Sequence, residues 1–173
     1  MRDTNINPIT FMNPYIFFEA VQKNDMTTVY DIWSNSGDSL KHMLINQLYN
    51  GQTALYYAVD FIGACEGSSV NIDMLNLLMD IPKTTDKEFI LFDGSNVGIE
   101  ENNGKRLFDI KAKYNSTSGL INVYGPTMGN DSQGCWTCFQ INYNIDSKGN
   151  IVDFCKKPSE GIVLPESALC IIS

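Results

Sequence analysis

The sequence predicts an α+β chain in which an N-terminal array of short helices is followed by a small antiparallel β appendage. Two observations carry this reading. From Asn13 to Tyr114 apolar residues recur at three- and four-residue spacings, broken by Asn, Asp, Gly and Pro. Beyond Ser116 apolar and polar residues alternate, as in Phe139, Ile141, Tyr143 and Ile145 against Gln140, Asn142 and Asn144. The array is placed at residues 14–115 and the β region at residues 118–173. With 173 residues and 43% apolar content, the chain can bury a core for one domain, or for one domain with an appendage.

Asn13-Pro14 opens the first helix, because Asn can accept from free backbone N–H groups and proline is pre-set for the first turn. Tyr15 to Lys23 continues it. After the Asn24-Asp25 break, Thr27 is expected to open a second helix with Val29, Ile32 and Trp33 on one face. Asp38-Ser39 begins a third, with Leu40, Leu44 and Leu48 at four-residue spacing, and Asn50-Gly51 ends it in a tight turn. Thr53 caps a helix through Asp60, and Asn71 to Asp80 forms another, which Pro82 stops. Residues 63–69 are a loop of small residues. Glu88 to Phe92 fits strand or helix, and Arg106 to Tyr114 is expected to be helical, with Leu107, Ile110 and Tyr114 on one side. Leu120 to Tyr124 and Trp136 to Ile145 read as strands, and the turn Asp146-Ser147-Lys148-Gly149-Asn150 returns the chain through Ile151 to Cys155. Ile162 to Leu164 adds a further short strand.

The net charge of -8 repels phosphate backbones, and basic residues cluster no further than the pairs Lys105-Arg106 and Lys156-Lys157, so no nucleic-acid partner is expected. Met1 to Asn5 lacks the apolar core of a signal peptide, and no run approaches the roughly 18 apolar residues of a spanning helix. A cytoplasmic protein is expected. Five cysteines, an odd number, are too sparse for a disulfide scaffold and read as reduced thiols.

The segment Asn50-Gly51-Gln52-Thr53-Ala54-Leu55-Tyr56-Tyr57-Ala58 resembles the ankyrin-repeat pattern G-x-T-P-L-H-x-A, with Ala54 for proline and Tyr56 for histidine. In such a repeat Gly51 takes positive φ in the turn, Thr53 caps the helix, Leu55 enters the core between repeats and Ala58 lets paired helices approach closely. Met74, Leu77 and Leu78 resemble the second helix of this copy. Phe18 to Trp33 looks like a preceding repeat and Gly104 to Ile110 like a terminal one, about the minimum for a stable stack. The resemblance implies about three degenerate repeats and a protein partner gripped on a concave face.

Cys135-Trp136-Thr137-Cys138 could serve as a redox pair, but it starts an alternating strand rather than opening a helix. With Cys155 and Cys170 the pair could hold zinc, although structural sites usually bring a second closely spaced pair. Strand thiols without metal are the favoured reading, and no cofactor is expected. Gln133 to Phe139 superficially resembles the nucleophile segment of papain-like proteases. That chemistry needs a downstream histidine, whereas the single histidine, His42, lies upstream and reads as a helix-surface residue. No catalytic residue is assigned. Cys170-Ile171-Ile172-Ser173 matches the C-a-a-X prenylation box, which makes Cys170 the candidate lipidation site and Cys155 the candidate for a second lipid; the alternative is an apolar terminal strand.

Together these features resemble small effectors that intracellular bacteria deliver into host cells. They imply a non-catalytic adaptor that binds a host protein, in the host cytosol and at host membranes when prenylated. A cytosolic inhibitor or immunity protein that occludes a basic toxin is the alternative, and a thiol-dependent enzyme using Cys135 or Cys138 is the second.

Overall fold

The computed structural model describes residues 13–80, 82–94, 109–130 and 132–158. Its helices are α1 (Pro14–Gln22), α2 (Met26–Ser34), α3 (Asp38–Asn46), α4 (Ala54–Ala58) and α5 (Ile72–Met79). Local chemistry sets their starts. Asn13 Oδ1 accepts from Tyr15 N–H at 3.0 Å ahead of Pro14, and Asn71 Oδ1 accepts from Met74 N–H at 3.2 Å. The second helix begins earlier than expected, because Asp25 rather than Thr27 is the cap, accepting from the Thr28 N–H at 3.2 Å and the Thr28 hydroxyl at 2.6 Å. Phe17 stacks on Trp33 with ring centroids 5.9 Å apart, which joins α1 to α2.

The strands are β1 (Lys87–Phe92), β2 (Ile110–Tyr114), β3 (Ile121–Asn130), β4 (Trp136–Ile145) and β5 (Ile151–Pro158). They form a five-stranded meander in the order β1-β2-β3-β4-β5, antiparallel at every step. One face is apolar and buried: Phe89, Leu91, Ile110, Ala112, Tyr114, Ile121, Val123, Ile141, Tyr143 and Ile145 lie in the same core as the inward faces of the helices. The other face carries Lys111, Lys113, Asn122, Tyr124, Asn142 and Asn144. Such two-sidedness is usual for an antiparallel sheet covered on one face. Tyr143 fastens the layers, its buried hydroxyl donating to the Val59 carbonyl at 2.8 Å.

This architecture overturns the expected helical repeat array with a small β appendage. The sheet is the C-terminal half of the fold and begins at Lys87, and the supposed terminal repeat helix contains strand β2. Spacing explains the misreading. Ile110 and Tyr114 stand four apart, which suits one helix face and also one face of a strand, and Ala112 between them is fully buried while Lys113 is exposed. The other half of that helix call, residues 106–108, lies outside the described residues, as does the strand expected at 162–164. The turn and both strands of the β4–β5 hairpin form as expected. Gly149 in its turn has φ +88°, and a Cβ there would stand 2.5 Å from the Val70 carbonyl oxygen, so close approach as well as backbone conformation requires glycine. Among the described residues no helix is long and apolar enough to cross a membrane.

Candidate binding groove

The motif at residues 51–58 forms a turn and a helix start, but it serves the sheet. Gly51 takes φ +81°, and its carbonyl accepts from Asp93 N–H at 2.8 Å. Thr53 holds the N-cap position of α4 without making a side-chain cap bond. Its N–H donates instead to the Leu91 carbonyl at 2.9 Å, and its hydroxyl to the Ile90 carbonyl at 2.9 Å. Turn and threonine together therefore cover the outer edge of β1 from Ile90 onward. Leu55 and Ala58 are buried against this junction, at 0% and 9% exposure. Leu77 is only half-buried, whereas its neighbours Leu75 and Leu78 fill the core.

Upstream of Thr53's contacts the edge of β1 is open. The Ile90 carbonyl points away from β2, since Thr53 reaches it from outside. Main-chain direction alternates along an antiparallel strand, so Phe89 faces Ala112 of β2 and Glu88 turns its N–H and C=O outward. Among the described residues no hydrogen bond meets the main chain of Glu88 on that side.

Across from this edge lies α3, and between them runs a groove of about 340 Å³. Trp33, Ile45, Leu78, Met79 and Phe89 supply its apolar base. Lys41 on α3 and Lys87 on β1 stand on its two walls. Each ammonium rests on an aromatic ring, Lys41 at 5.3 Å from the Trp33 centroid and Lys87 at 5.0 Å from the Phe89 centroid. Among the described residues neither has an ion-pair partner. Exposed His42 adds an imidazole on the α3 wall, while Asp38 and Asp80 also line the groove. Glu88 directs its carboxylate to the polar face of the sheet, 3.3 Å from Lys111 Nζ and 3.1 Å from the Tyr124 hydroxyl. Burial first, and then the Glu88 charge, push the Tyr124 phenol up, so it donates throughout the neutral range.

The sequence-predicted thiols stay apart from the groove. Cys135 is exposed just before β4, Cys138 is buried within it, and Cys155 is half-buried on β5. Cys155 pairs in register with Asn142, four residues along β4 from Cys138, or about 13 Å at strand spacing. These positions do not bring a zinc set together, and no cluster of three or more His, Cys, Asp or Glu among the described residues could hold a metal. Cys170 lies outside the described residues. His42 is on the helix surface as expected, but its place in a groove has no sequence signal, since the opposite wall lies more than forty residues along the chain.

No protein-family model, curated protein or solved structure matches this chain.

Proposed function

We propose that this chain is a non-catalytic protein-binding module whose partner seats in the groove between α3 and β1. One observation supports the reading above others: a concave apolar floor lies beside a strand edge whose main-chain groups at Glu88 have no partner within the described fold. Apolar concavities with a few placed polar groups are where ligands bind, and unpaired strand edges are where other chains attach. Binding through a concave ankyrin face has no place here, because the helices are spent on covering the sheet.

The test is affinity capture from the cells that make the protein, comparing three forms. His42→Trp would fill the groove from its exposed wall, and Lys148→Glu alters the distant β4–β5 turn. A partner should be recovered with the unsubstituted and Lys148→Glu forms and lost about tenfold or more with His42→Trp, a change of about 1.4 kcal/mol per decade. Equal recovery by all three forms overturns the groove as the binding site.

A further inference from the structure

We propose that the occupant of the groove is an extended segment of another protein, added to the outer edge of β1 as a further strand and carrying one acidic side chain between Lys41 and Lys87. This deepens the protein-binding reading and rests on it. Three observations lead to it. First, the outward N–H and C=O of Glu88 are unpartnered within the described fold. Only an extended backbone lying alongside satisfies both at once, since an inserted helix has its own main chain already bonded.

Second, the open edge is short, because Thr53 takes the Ile90 and Leu91 carbonyls. Two main-chain bonds at Glu88 fix direction and register, while most of the affinity must come from alternate side chains of the segment reaching Ile45, Leu78 and Met79 at the base. Third, the wall ammonium groups of Lys41 and Lys87 sit on aromatic rings and, among the described residues, in no ion pair, in a chain of net charge -8. A carboxylate entering between them gains two cations already held in place. Asp38 and Asp80 line the same groove and oppose a second negative charge. The fit is therefore to one acidic residue among apolar ones, not to an acidic run.

A second copy of this chain fits worse. Two-fold pairing of β1 with itself must centre on Glu88, since the Ile90 carbonyl is taken, and it would set Glu88 directly opposite the same residue of the other copy. Like charges directly opposed across strands are destabilising.

The experiment selects random linear peptides of about ten residues, the upper end of strand length, by display against the full chain, and resynthesises the binders with one N-methyl group at each position in turn. Strand addition at one open residue predicts one sensitive position. N-methylation of the residue whose N–H meets the Glu88 carbonyl should weaken binding about tenfold or more, and at its neighbours on either side should leave it nearly unchanged. The Glu88 amide should also shift and become protected from exchange in spectra of the labelled chain. Peptides should carry an Asp or Glu, and Lys87→Glu, with Lys41→Gln as a milder second variant, should weaken them about tenfold. Peptides that bind in the groove with no single N-methyl-sensitive position would overturn strand addition and leave the protein-binding reading standing. Failure to select any peptide that moves the Glu88 amide overturns the inference, while the capture experiment above judges the broader reading separately. Concentration-dependent self-association with protection of the same amide would replace the foreign segment with a second copy.

Discussion

The two edges of the sheet are treated differently. Along β5 the edge is closed in its first half. The Ile151 carbonyl accepts from Gly67 N–H at 3.2 Å, Ile151 N–H donates to the Ser68 carbonyl at 2.8 Å, and the Glu66 carboxylate takes Phe154 N–H at 2.8 Å. A bulge at Asp153, with φ +55°, then bends the strand before Lys156, Lys157 and Pro158. Bulge, lysines and proline are the devices by which sheets prevent edge-to-edge pairing. Along β1 only the stretch from Ile90 is closed, by Gly51 and Thr53, and the open part faces a groove. The contrast is between an edge closed in its first half and bent by a bulge, and one left open at Glu88 beside a groove.

The largest expected effect comes from the buried side of β1. Leu91 is 0% exposed and Ile90, next to it, 36% exposed. Leu91→Ala should cost about 2–5 kcal/mol by lost transfer energy and the cavity left behind, and Ile90→Ala less than about 1 kcal/mol. Urea denaturation of the two variants checks this. Equal costs would mean that β1 is not held by its inner face and that its edge is not where the fold places it.

The second comparison concerns glycines guarding β5. Gly67 and Gly149 both have positive φ, +81° and +88°, but a Cβ at Gly67 meets nothing within 4 Å whereas one at Gly149 meets the Val70 carbonyl at 2.5 Å. Gly67→Ala should cost about 1–2 kcal/mol for the left-handed backbone, and Gly149→Ala about 1 kcal/mol more for the added overlap. Thermal unfolding of both variants measures the difference. A smaller loss for Gly149→Ala would show that the turn and the Val70 loop are not pressed together.

How far these features were legible in the sequence depends on the range over which they are determined. Caps act within three residues, so Asn13-Pro14, Asn71 and the Asp146 to Asn150 turn are readable, and so is β4, which alternates from Phe139 to Ile145. Strand β2 was misread because its five residues offer the two periodicities the same end points, Ile110 and Tyr114. The stretch Gly51 to Ala58 forms the turn and helix that its sequence predicts, but within a fold whose C-terminal half is a sheet and not a helical repeat array. Thr53 finds its partner 37 residues away on a strand, and no local pattern announces that. The groove was not legible at all, because an edge strand is defined by topology and its walls meet only after the sheet has formed.

A third prediction tests the closed part of β1. Thr53→Val removes the hydroxyl that donates to Ile90 while preserving shape and the N–H bond to Leu91. It should cost about 1–2 kcal/mol, since a carbonyl near the core loses a donor, and hydrogen exchange should quicken in β1 before it does in β4. Uniform acceleration across the sheet would mean that the threonine supports the fold generally and does not close the edge.

The smallest effects lie in the carboxylates that tie down the approach to each edge. Asp86, just ahead of β1, accepts from the N–H and hydroxyl of Ser116 at 2.7 and 2.6 Å, and the hydroxyl bond is the main reason its pKa is lowered. Asp146, leading into β5, accepts from the N–H groups of Lys148 and Asn150 at 2.9 Å, and its pKa is lowered chiefly by the Asn150 bond. In both the folded state binds its proton less readily than the unfolded chain, so the stabilisation is fully present above the unfolded value near 3.8 and is lost as pH falls through the folded pKa. Both groups are solvent-exposed, which keeps the contributions small. Stability measured between neutral pH and about pH 3 should therefore decline on the acid side, with a shallower decline in Asp146→Asn and in Asp86→Asn than in the unsubstituted chain. The two variants should also differ in place: Asp86→Asn should loosen amides at the start of β1, beside the groove, and Asp146→Asn those of the β4–β5 turn. An acid-side slope unchanged in both would show that neither carboxylate is held by its turn, and loosening at the same amides in both would remove the distinction between the edges.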